Sequence, residues 1–348
     1  MSNFWAQLPK PIFCLAPMEA VTDCAFREIF AKYGKPSLTL PLEKGGDNES
    51  LTCSLFRNSF VMFTEFVNVD GLTHPEGYKK LKIDLAYTEN QRPIVAQLWG
   101  RDPEKFYKAS QLVRDLGFNG VDINMGCPQD KEIAQKTCAY LIREPRLAGE
   151  IIDAVIRGAG PLPVSVKTRI GYSSPNEMDE WISHLLKYKI SALTLHARTK
   201  QEKSKVPAHW GKIQEAVKIR NELRIKNPEL SSLIIGNGDV KSRAEGLMRV
   251  QETGCDGIMV GRGAFGHPWV FRTDNYIPSP AERLGVMLEH AELYQQLYSD
   301  IKSFVSLRKN FKAYASGFAG SSELRARLME TTQVAEVKKL VGDFLRQG

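Results

Sequence analysis

The sequence predicts a (β/α)8 TIM barrel followed by a small all-helical domain at the C-terminus. Eight short apolar segments alternate with helical stretches up to about residue 275, and the chain reads as helix after it. Most of these segments are continuously apolar, as is typical of strands that are covered on both faces. Eight strand–helix units favour a closed parallel barrel over an open sheet.

The strands and helices can be assigned in chain order. The predicted strands are residues 12–16, 60–66, 93–98, 120–124, 164–167, 192–196, 233–236 and 257–260. The clearest helix starts at Asp102 and Pro103, an N-cap acid before a proline at the first helical position, and stops at Gly117. Further barrel helices are predicted at 146–157, 176–188, 210–220 and 241–252. The long polar segment 36–59 is interpreted as an insertion.

A change of pattern marks the end of the barrel. Prolines 278 and 280 indicate a linker, so we assign residues 1–275 to the barrel domain and 281–348 to a helical domain. Within the latter, helices are predicted at 281–298, 302–316, 322–330 and 333–346.

Composition excludes several classes of protein. The 348 residues are 43% hydrophobic and 25% charged, as is usual for a soluble globular enzyme. The six cysteines lack paired spacing, which predicts no disulfide framework and fits the reducing cytoplasm. Residues 1–10 lack the apolar stretch of a signal peptide, so none is expected, and without an apolar run of about 18 residues no membrane span is expected. The histidines lack ligand spacing, so no metal site is expected.

Positive charge is the main compositional bias. A net charge of +7 favours an anionic partner without requiring one. Residues 302–327 contain six basic side chains and one acid, and a second basic cluster covers 198–205. The two clusters would form one stripe if the fold brings them together.

Polar residues follow the predicted strands at the end where such barrels carry their chemistry. The residues at these positions, most of them polar, are Pro17 and Met18 after strand one, Gln97 at the end of strand three, Asn124 at the end of strand four and Cys127 after it, Lys167 at the end of strand five and Arg169 two residues on, His196 at the end of strand six and Arg198 after it, Asn237 and Asp239 after strand seven, and Gly261 and Arg262 after strand eight. Asp122, which precedes Asn124 on its strand, is expected to point away from the site. Each residue alone has a structural explanation, but together they predict a functional rim.

Four of these features can be interpreted one at a time. The glycine-containing loops at 236–239 and 261–264 follow strands seven and eight, where such barrels usually bind phosphate, although either loop alone would be an ordinary turn. Lys167 could place positive charge beside a flavin ring, or be a solvated rim lysine. His196 is equally well explained as a hydrogen-bonded core residue. Cys127 taken alone favours a buried thiol over a catalytic one.

The motifs together closely resemble the tRNA-dihydrouridine synthase family. The resemblance rests on residues 15–23, 97–100, 124–128 with Lys131, 166–171, 195–199, 236–239 and 261–263, and in the tail on 308–309 with Tyr314 and Gly317. It covers nearly the whole chain outside 36–59. The run from Asn124 to Pro128 is its most specific part, since the other motifs are shared with further flavin barrels.

The resemblance implies an FMN enzyme that uses NADPH to reduce a uridine of the tRNA D-loop, with hydride delivered to carbon 6 and Cys127 protonating carbon 5 as general acid. The FMN contacts it implies are Pro17, Met18, Gln97, Lys167, His196, Asn237, Asp239, Gly261 and Arg262. On the RNA side it implies Asn124, Lys131 and Arg169 near the uracil, and Arg198, Arg308 and Lys309 near the backbone. The tail would thus be a tRNA-binding domain of a monomeric cytoplasmic enzyme.

Some positions depart from the family pattern. Residues 135–140 replace a Gly/Ala-rich stretch, and Glu19 and Ala20 stand where Ala-Gly is usual. These departures leave open which tRNA position is served. Two alternatives are a flavin barrel acting on a small molecule, which would not explain the basic tail, and a non-catalytic tRNA-binding protein, against which an intact Cys127, Lys167 and His196 argue.

Overall fold

The computed structural model describes residues 3–35 and 59–347, so the predicted insertion lies outside the described residues except for Ser59. Eight parallel strands close a barrel in chain order, with the first strand paired to the eighth. The strands are β1 Ile12–Leu15, β2 Phe60–Asn68, β3 Ile94–Trp99, β4 Gly120–Met125, β5 Val164–Arg169, β6 Ala192–His196, β7 Leu233–Asn237 and β8 Gly257–Val260. The predicted (β/α)8 barrel is confirmed.

Helices surround the barrel and continue beyond it. Those beside the barrel are α1 Cys24–Tyr33, α2 Val69–Leu72, α3 Pro75–Leu81, α4 Pro103–Asp115, α5 Asp130–Ala134, α6 Pro145–Ala159, α7 Met178–Leu185, α8 Trp210–Lys226 and α9 Arg243–Thr253. Those at the C-terminus are α10 Pro280–Tyr298, α11 Arg308–Tyr314, α12 Ser321–Leu328 and α13 Val334–Gln347. The predicted N-cap of α4 is present, since the Asp102 carboxylate accepts hydrogen bonds from the backbone N–H groups of Glu104 and Lys105.

The strands are buried on both faces, which explains their continuous apolar character. In β4, Val121, Ile123 and Met125 pack against the surrounding helices. Side chains of a strand alternate between its two faces, so Asp122 and Asn124 both face the barrel interior. The expectation that Asp122 points away from the site is therefore wrong.

The N-terminal end of the barrel is closed by apolar side chains. A short helical turn, Phe4–Gln7, precedes β1, and Phe4 and Trp5 join the interior residues of the barrel in one buried cluster. The ring of Trp5 lies 6.4 Å from that of Phe63 on β2. The barrel interior is therefore filled at this end.

The C-terminal helices form a second core that reaches into the barrel domain. Cys24, Ala25 and Ile29 of α1 belong to this core, together with Trp269. The predicted helix 302–316 is shorter, because a tight turn at Phe304–Leu307 precedes α11. The boundary between two domains near residue 280 stays a prediction. Among the described helices, none combines the length and the apolar character needed to cross a membrane.

Candidate active site

Strand pairing brings the predicted rim residues side by side at the C-terminal end of the barrel. Asn124 pairs with Lys167, Arg169 with His196, and His196 with Asn237. Each pair joins neighbouring strands, so polar groups that are 27 to 43 residues apart in sequence become neighbours in space.

A cavity of about 1000 Å³ opens at this end of the barrel. It is lined by eight of the nine residues predicted to bind the cofactor: Pro17, Met18, Lys167, His196, Asn237, Asp239, Gly261 and Arg262. Gln97 is fully buried and is connected to the rim through Asn124, whose Nδ2 donates to Gln97 Oε1 at 3.1 Å. The structure thus brings the predicted set together.

Lys167 and His196 lie in an environment that disfavours positive charge. Burial and, next, the charge of Arg169 lower the pKa of Lys167 to about 8. Its hydrogen bond goes to the neutral amide of Asn237, with Nζ 3.2 Å from Oδ1. Burial and the same cations hold the pKa of His196 well below its ordinary value. Arg169 Nη1 lies 3.4 Å from His196 Nδ1, and a guanidinium only donates, so the neutral ring carries its proton on Nε2.

Asp239 organises the wall of the cavity between two arginines. Its carboxylate forms ion pairs with Arg198 and, at 3.0 Å, with Arg262. Burial would raise the pKa of Asp239, but hydrogen bonds from Arg198 and the Ala208 N–H outweigh it, so the pKa is lowered. The Arg198 side chain is only 3% exposed, and its Nη1 is buried without a hydrogen-bond partner among the described residues. Arg198 is therefore a buried part of the wall, and its predicted contact with RNA stays a prediction.

The loop after β4 holds Cys127 at the edge of this site. Asn124 Oδ1 accepts hydrogen bonds from the backbone N–H groups of Gly126 and Cys127, each at 3.0 Å. Arg169 Nε donates to Gly126 O at 2.7 Å, so the loop is fixed from two sides. The remaining guanidinium contacts of Arg169 include the carbonyls of Thr199 and Lys203.

The Cys127 thiol has a second thiol as its neighbour. Cys127 is half-buried, and its pKa is lowered mainly by a hydrogen bond with Cys138. Cys138 is completely buried and has φ = 55°, a left-handed conformation that is uncommon for a residue with a Cβ atom. Burial and this bond raise the pKa of Cys138 well above its ordinary value, so the proton of the pair stays on Cys138 when Cys127 ionises.

Lys131 lies next to this loop but is engaged by acids. Its Nζ is 2.7 Å from Glu19 and 3.3 Å from Glu132, and its side chain is 62% exposed. Glu132 is fully buried, and among the described residues its oxygens have no partner with hydrogen-bond geometry, so the Lys131 contact is ionic only. The predicted approach of Lys131 to a uracil stays a prediction.

The two predicted RNA contacts in the tail have partners inside the protein. Arg308 donates to the carbonyls of Thr331 and Glu330 just after α12, at 2.7 and 3.0 Å. Lys309 is half-buried and donates to the carbonyl of Ala20 in the loop after β1. Both side chains therefore brace the helical tail, and their contact with tRNA stays a prediction.

Sequence reasoning missed three residues near the site: Asp122, Cys138 and Glu132. Strand periodicity could have identified Asp122, because residues two apart on a strand share a face. Nothing in the sequence connects Cys138 or Glu132 to Cys127, because their proximity follows from the fold of the loop. Within the described part of the chain, no group of three or more His, Cys, Asp or Glu side chains is placed to hold a metal ion.

A parallel barrel with a cavity and a thiol-bearing loop at the C-terminal ends of its strands has the architecture of a barrel enzyme. The family model described as dihydrouridine synthase matches residues 14–347. The chain therefore belongs to the dihydrouridine synthase family.

Relatives cover the chain almost completely. A Bacillus subtilis (strain 168) protein named "Probable tRNA-dihydrouridine synthase 2" is 40% identical over 347 residues, which is 99% of this chain and 97% of that protein. A Staphylococcus aureus (strain COL) protein named "Probable tRNA-dihydrouridine synthase" is 38% identical over 99% of this chain and 96% of its own length. Neither comparison leaves a substantial part of the chain unmatched.

Solved structures share the fold at low sequence identity. Histamine dehydrogenase from Rhizobium sp. 4-9 has a TM-score of 0.50 and 12% identity, and the match covers 81% of this chain and 48% of that chain. An amine oxidase from Pseudomonas geniculata N1 has a TM-score of 0.50 and 11% identity, covering 75% and 47%. These likenesses show the barrel fold alone.

Proposed function

We propose that this protein reduces a uridine in the D-loop of tRNA to 5,6-dihydrouridine, with FMN as its cofactor and NADPH as its reductant. The observation that carries the proposal is the direct connection between the cationic cavity and the Cys127 loop. Arg169 joins them, because its guanidinium contacts both His196 on the cavity wall and the carbonyl of Gly126.

The cavity fits a flavin mononucleotide in size and in charge. Its volume is within the range of small-ligand sites, and the half-buried ammonium of Lys167 forms its hydrogen bond to a neutral amide. The unpartnered Nη1 of Arg198 and the exposed guanidinium of Arg262 add donors near the loops after β7 and β8. An anion with several oxygen atoms would satisfy these groups, as the phosphate and pyrimidine edge of FMN would.

A flavin bound in this cavity would supply a hydride to carbon 6 of the uracil. The chain's part would be to deliver a proton to carbon 5, and we assign this role to the half-buried thiol of Cys127. Hydrogen bonding from Cys138 lowers the pKa of Cys127 and would stabilise the thiolate that remains after proton transfer, which makes the thiol a stronger acid. Asn124 and Arg169 hold the loop and thereby orient the sulfur.

Recognition of tRNA rests on the positive charge around the cavity. Lys205, Lys241 and Arg262 line its mouth and are exposed. The target base would leave its stack to enter, at a cost of a few kcal/mol that stacking on the flavin and hydrogen bonds to its edge would offset. We place the reaction in the cytoplasm, where the free cysteines stay reduced, and take the chain to act as a monomer.

The test uses the full chain, reconstituted with FMN, NADPH and unmodified tRNA transcripts. We expect dihydrouridine, quantified by mass spectrometry of nucleosides, and its position mapped by sequencing. Matched transcripts with cytidine at the D-loop uridines should give none. Absence of dihydrouridine from every transcript, with flavin bound and reducible, would refute the proposal.

A further inference from the structure

Three hydrogen-bonded polar side chains inside the barrel, Asp122, Gln97 and Asn124, lead to the loop that carries Cys127. Asp122 is fully buried and faces the barrel interior, a place that bulky apolar residues usually fill. Its Oδ2 accepts from Gln97 Nε2 at 2.6 Å, and its Oδ1 accepts from Ser165 Oγ at 2.5 Å. Burial raises the pKa of Asp122 to about 6. A buried carboxylate is unfavourable for stability, so its presence calls for a functional explanation.

Hydrogen-bond chemistry determines which group donates and which accepts in each bond between the Cys127 loop, Asn124, Gln97 and Asp122. The backbone N–H groups of Gly126 and Cys127 can only donate, so they require Oδ1 of Asn124. The Asn124 amide nitrogen then faces Gln97 Oε1, and the Gln97 amide nitrogen faces position 122. An acceptor is required there, because a reversed Gln97 would oppose its own N–H groups to those of Asn124.

We propose that Asp122 is a positioning residue that acts through Gln97 and Asn124 to hold the Cys127 loop in its reactive arrangement. The inference rests on the proposed function for its catalytic meaning, since the group it positions is the proton donor. Asp122 itself is separated from Cys127 by two amide side chains and does not touch the reacting atoms.

The first test compares Asp122→Asn with Asp122→Leu in the full-length, FMN-loaded protein. Asparagine can still accept from Gln97 while its amide nitrogen donates to the Ser165 hydroxyl, so kcat should stay within about threefold of wild type. Leucine has a similar size but no acceptor, and kcat should fall about tenfold or more at an unchanged KM for tRNA. Equal effects of the two substitutions, or a Leu variant with wild-type kcat, would overturn the inference.

A second measurement reports on the loop without any RNA. The rate at which iodoacetamide alkylates Cys127 is followed by peptide mass spectrometry. We expect this rate to be about threefold higher in Asp122→Leu than in wild type, because a released loop exposes the half-buried thiol. The Asn variant should react like wild type. The matched control is Asp256→Ala, which removes a partly buried carboxylate at the other end of the barrel, where it accepts hydrogen bonds from Ile234 N and Arg220. This control should lower stability and leave the modification rate unchanged, and an unchanged rate in the Leu variant as well would contradict the inference.

The third test uses Gln97→Glu and can be interpreted even if Asp122→Leu does not fold. In Gln97→Glu two carboxylates would meet at about 2.6 Å. At low pH the new acid can hold a proton, donate it to Asp122 and accept from Asn124, which restores the chain of bonds. At high pH both groups ionise and the chain breaks. With saturating FMN, kcat relative to wild type should therefore be about tenfold higher at pH 6 than at pH 8.5.

A ratio that does not change with pH would show that Gln97 and Asp122 act only in packing. If wild-type protein forms no dihydrouridine, the proposed function fails, whereas the iodoacetamide rates still decide whether Asp122 positions the loop.

Discussion

Lys167 at the barrel rim and Lys302, which follows α10 in the helical tail, are both half-buried, in opposite surroundings. Lys167 hydrogen-bonds to a neutral amide, and burial beside Arg169 lowers its pKa to about 8. Burial also disfavours the charged form of Lys302, but Glu65 and Asp84, at 3.2 and 2.7 Å, outweigh it, so its pKa is raised. The hydrogen bond of Lys167 to a neutral amide leaves its positive charge uncompensated, whereas two carboxylates of the same protein neutralise the charge of Lys302.

The same contrast holds for other basic residues of the tail. Arg308, Lys309 and Arg325 donate to backbone carbonyls of their own chain. Lys312 and Arg327 are exposed. The number of basic residues in a segment therefore overstates the number of basic side chains that are free to contact RNA.

The largest effect is expected at the rim, for Cys127→Ala. Loss of the proton donor should lower the single-turnover rate of uridine reduction by about 100-fold or more. Flavin content and tRNA affinity should stay at wild-type levels, because the loop is held by Asn124 and Arg169. The control is Cys255→Ala, which removes a buried thiol just before β8. Undiminished turnover in the Cys127 variant would exclude it as the acid.

The next largest effect is a difference between Lys302→Met and Lys167→Met in the free energy of unfolding. Lys302→Met leaves Glu65 and Asp84 without their cation and should lower the free energy of unfolding by about 2 kcal/mol, allowing for their partial exposure. Lys167→Met removes a poorly compensated buried charge and should be at least as stable as wild type without flavin. Urea unfolding of both variants checks this. A larger loss of stability in Lys167→Met than in Lys302→Met would mean that Lys302 is not the lysine whose charge is neutralised by carboxylates.

The contrast also predicts a dependence on pH. Lys167 is protonated below its folded-state pKa of about 8 and loses its charge above it. The affinity for FMN, followed by quenching of flavin fluorescence, should therefore fall by about tenfold as pH rises from 7 to 9.5. Lys302→Met should keep this dependence and Lys167→Met should lose it. Affinity that is constant over this range in the wild type would argue against Lys167 as a charged partner of the cofactor.

The smallest effect concerns the exposed tail. If Lys312 and Arg327 contact RNA phosphates, replacing both with alanine should weaken tRNA binding several-fold. The slope of log affinity against log salt should also fall by up to about 1.5. Unfolding should be unaffected, whereas Arg308→Ala should lower stability by about 1 kcal/mol through its lost carbonyl bonds. A double variant with wild-type affinity and slope would place the RNA elsewhere.

The sequence was informative where function follows from position along a strand. Lys167 and His196 could be predicted because a polar residue ending a buried strand of a barrel stands at its rim. Asp122 was misplaced although strand periodicity assigns it to the interior. The role of Arg308 could not be predicted, because it depends on where the carbonyls after α12 lie in space. The pairing of Cys138 with Cys127 was likewise hidden, since it requires a left-handed backbone turn that no local pattern indicates.

Within the described residues, Phe4 and Trp5 close the N-terminal end of the barrel with apolar side chains, and the cavity opens at the C-terminal end. This arrangement would restrict the kinetics of the proposed reaction. Cofactor, reductant and RNA would all have to use the same opening. A flavin at the bottom would load first and leave last, and NADPH and tRNA would take turns above it. Steady-state rates measured against both substrates should then give parallel double-reciprocal lines, the pattern of a ping-pong mechanism.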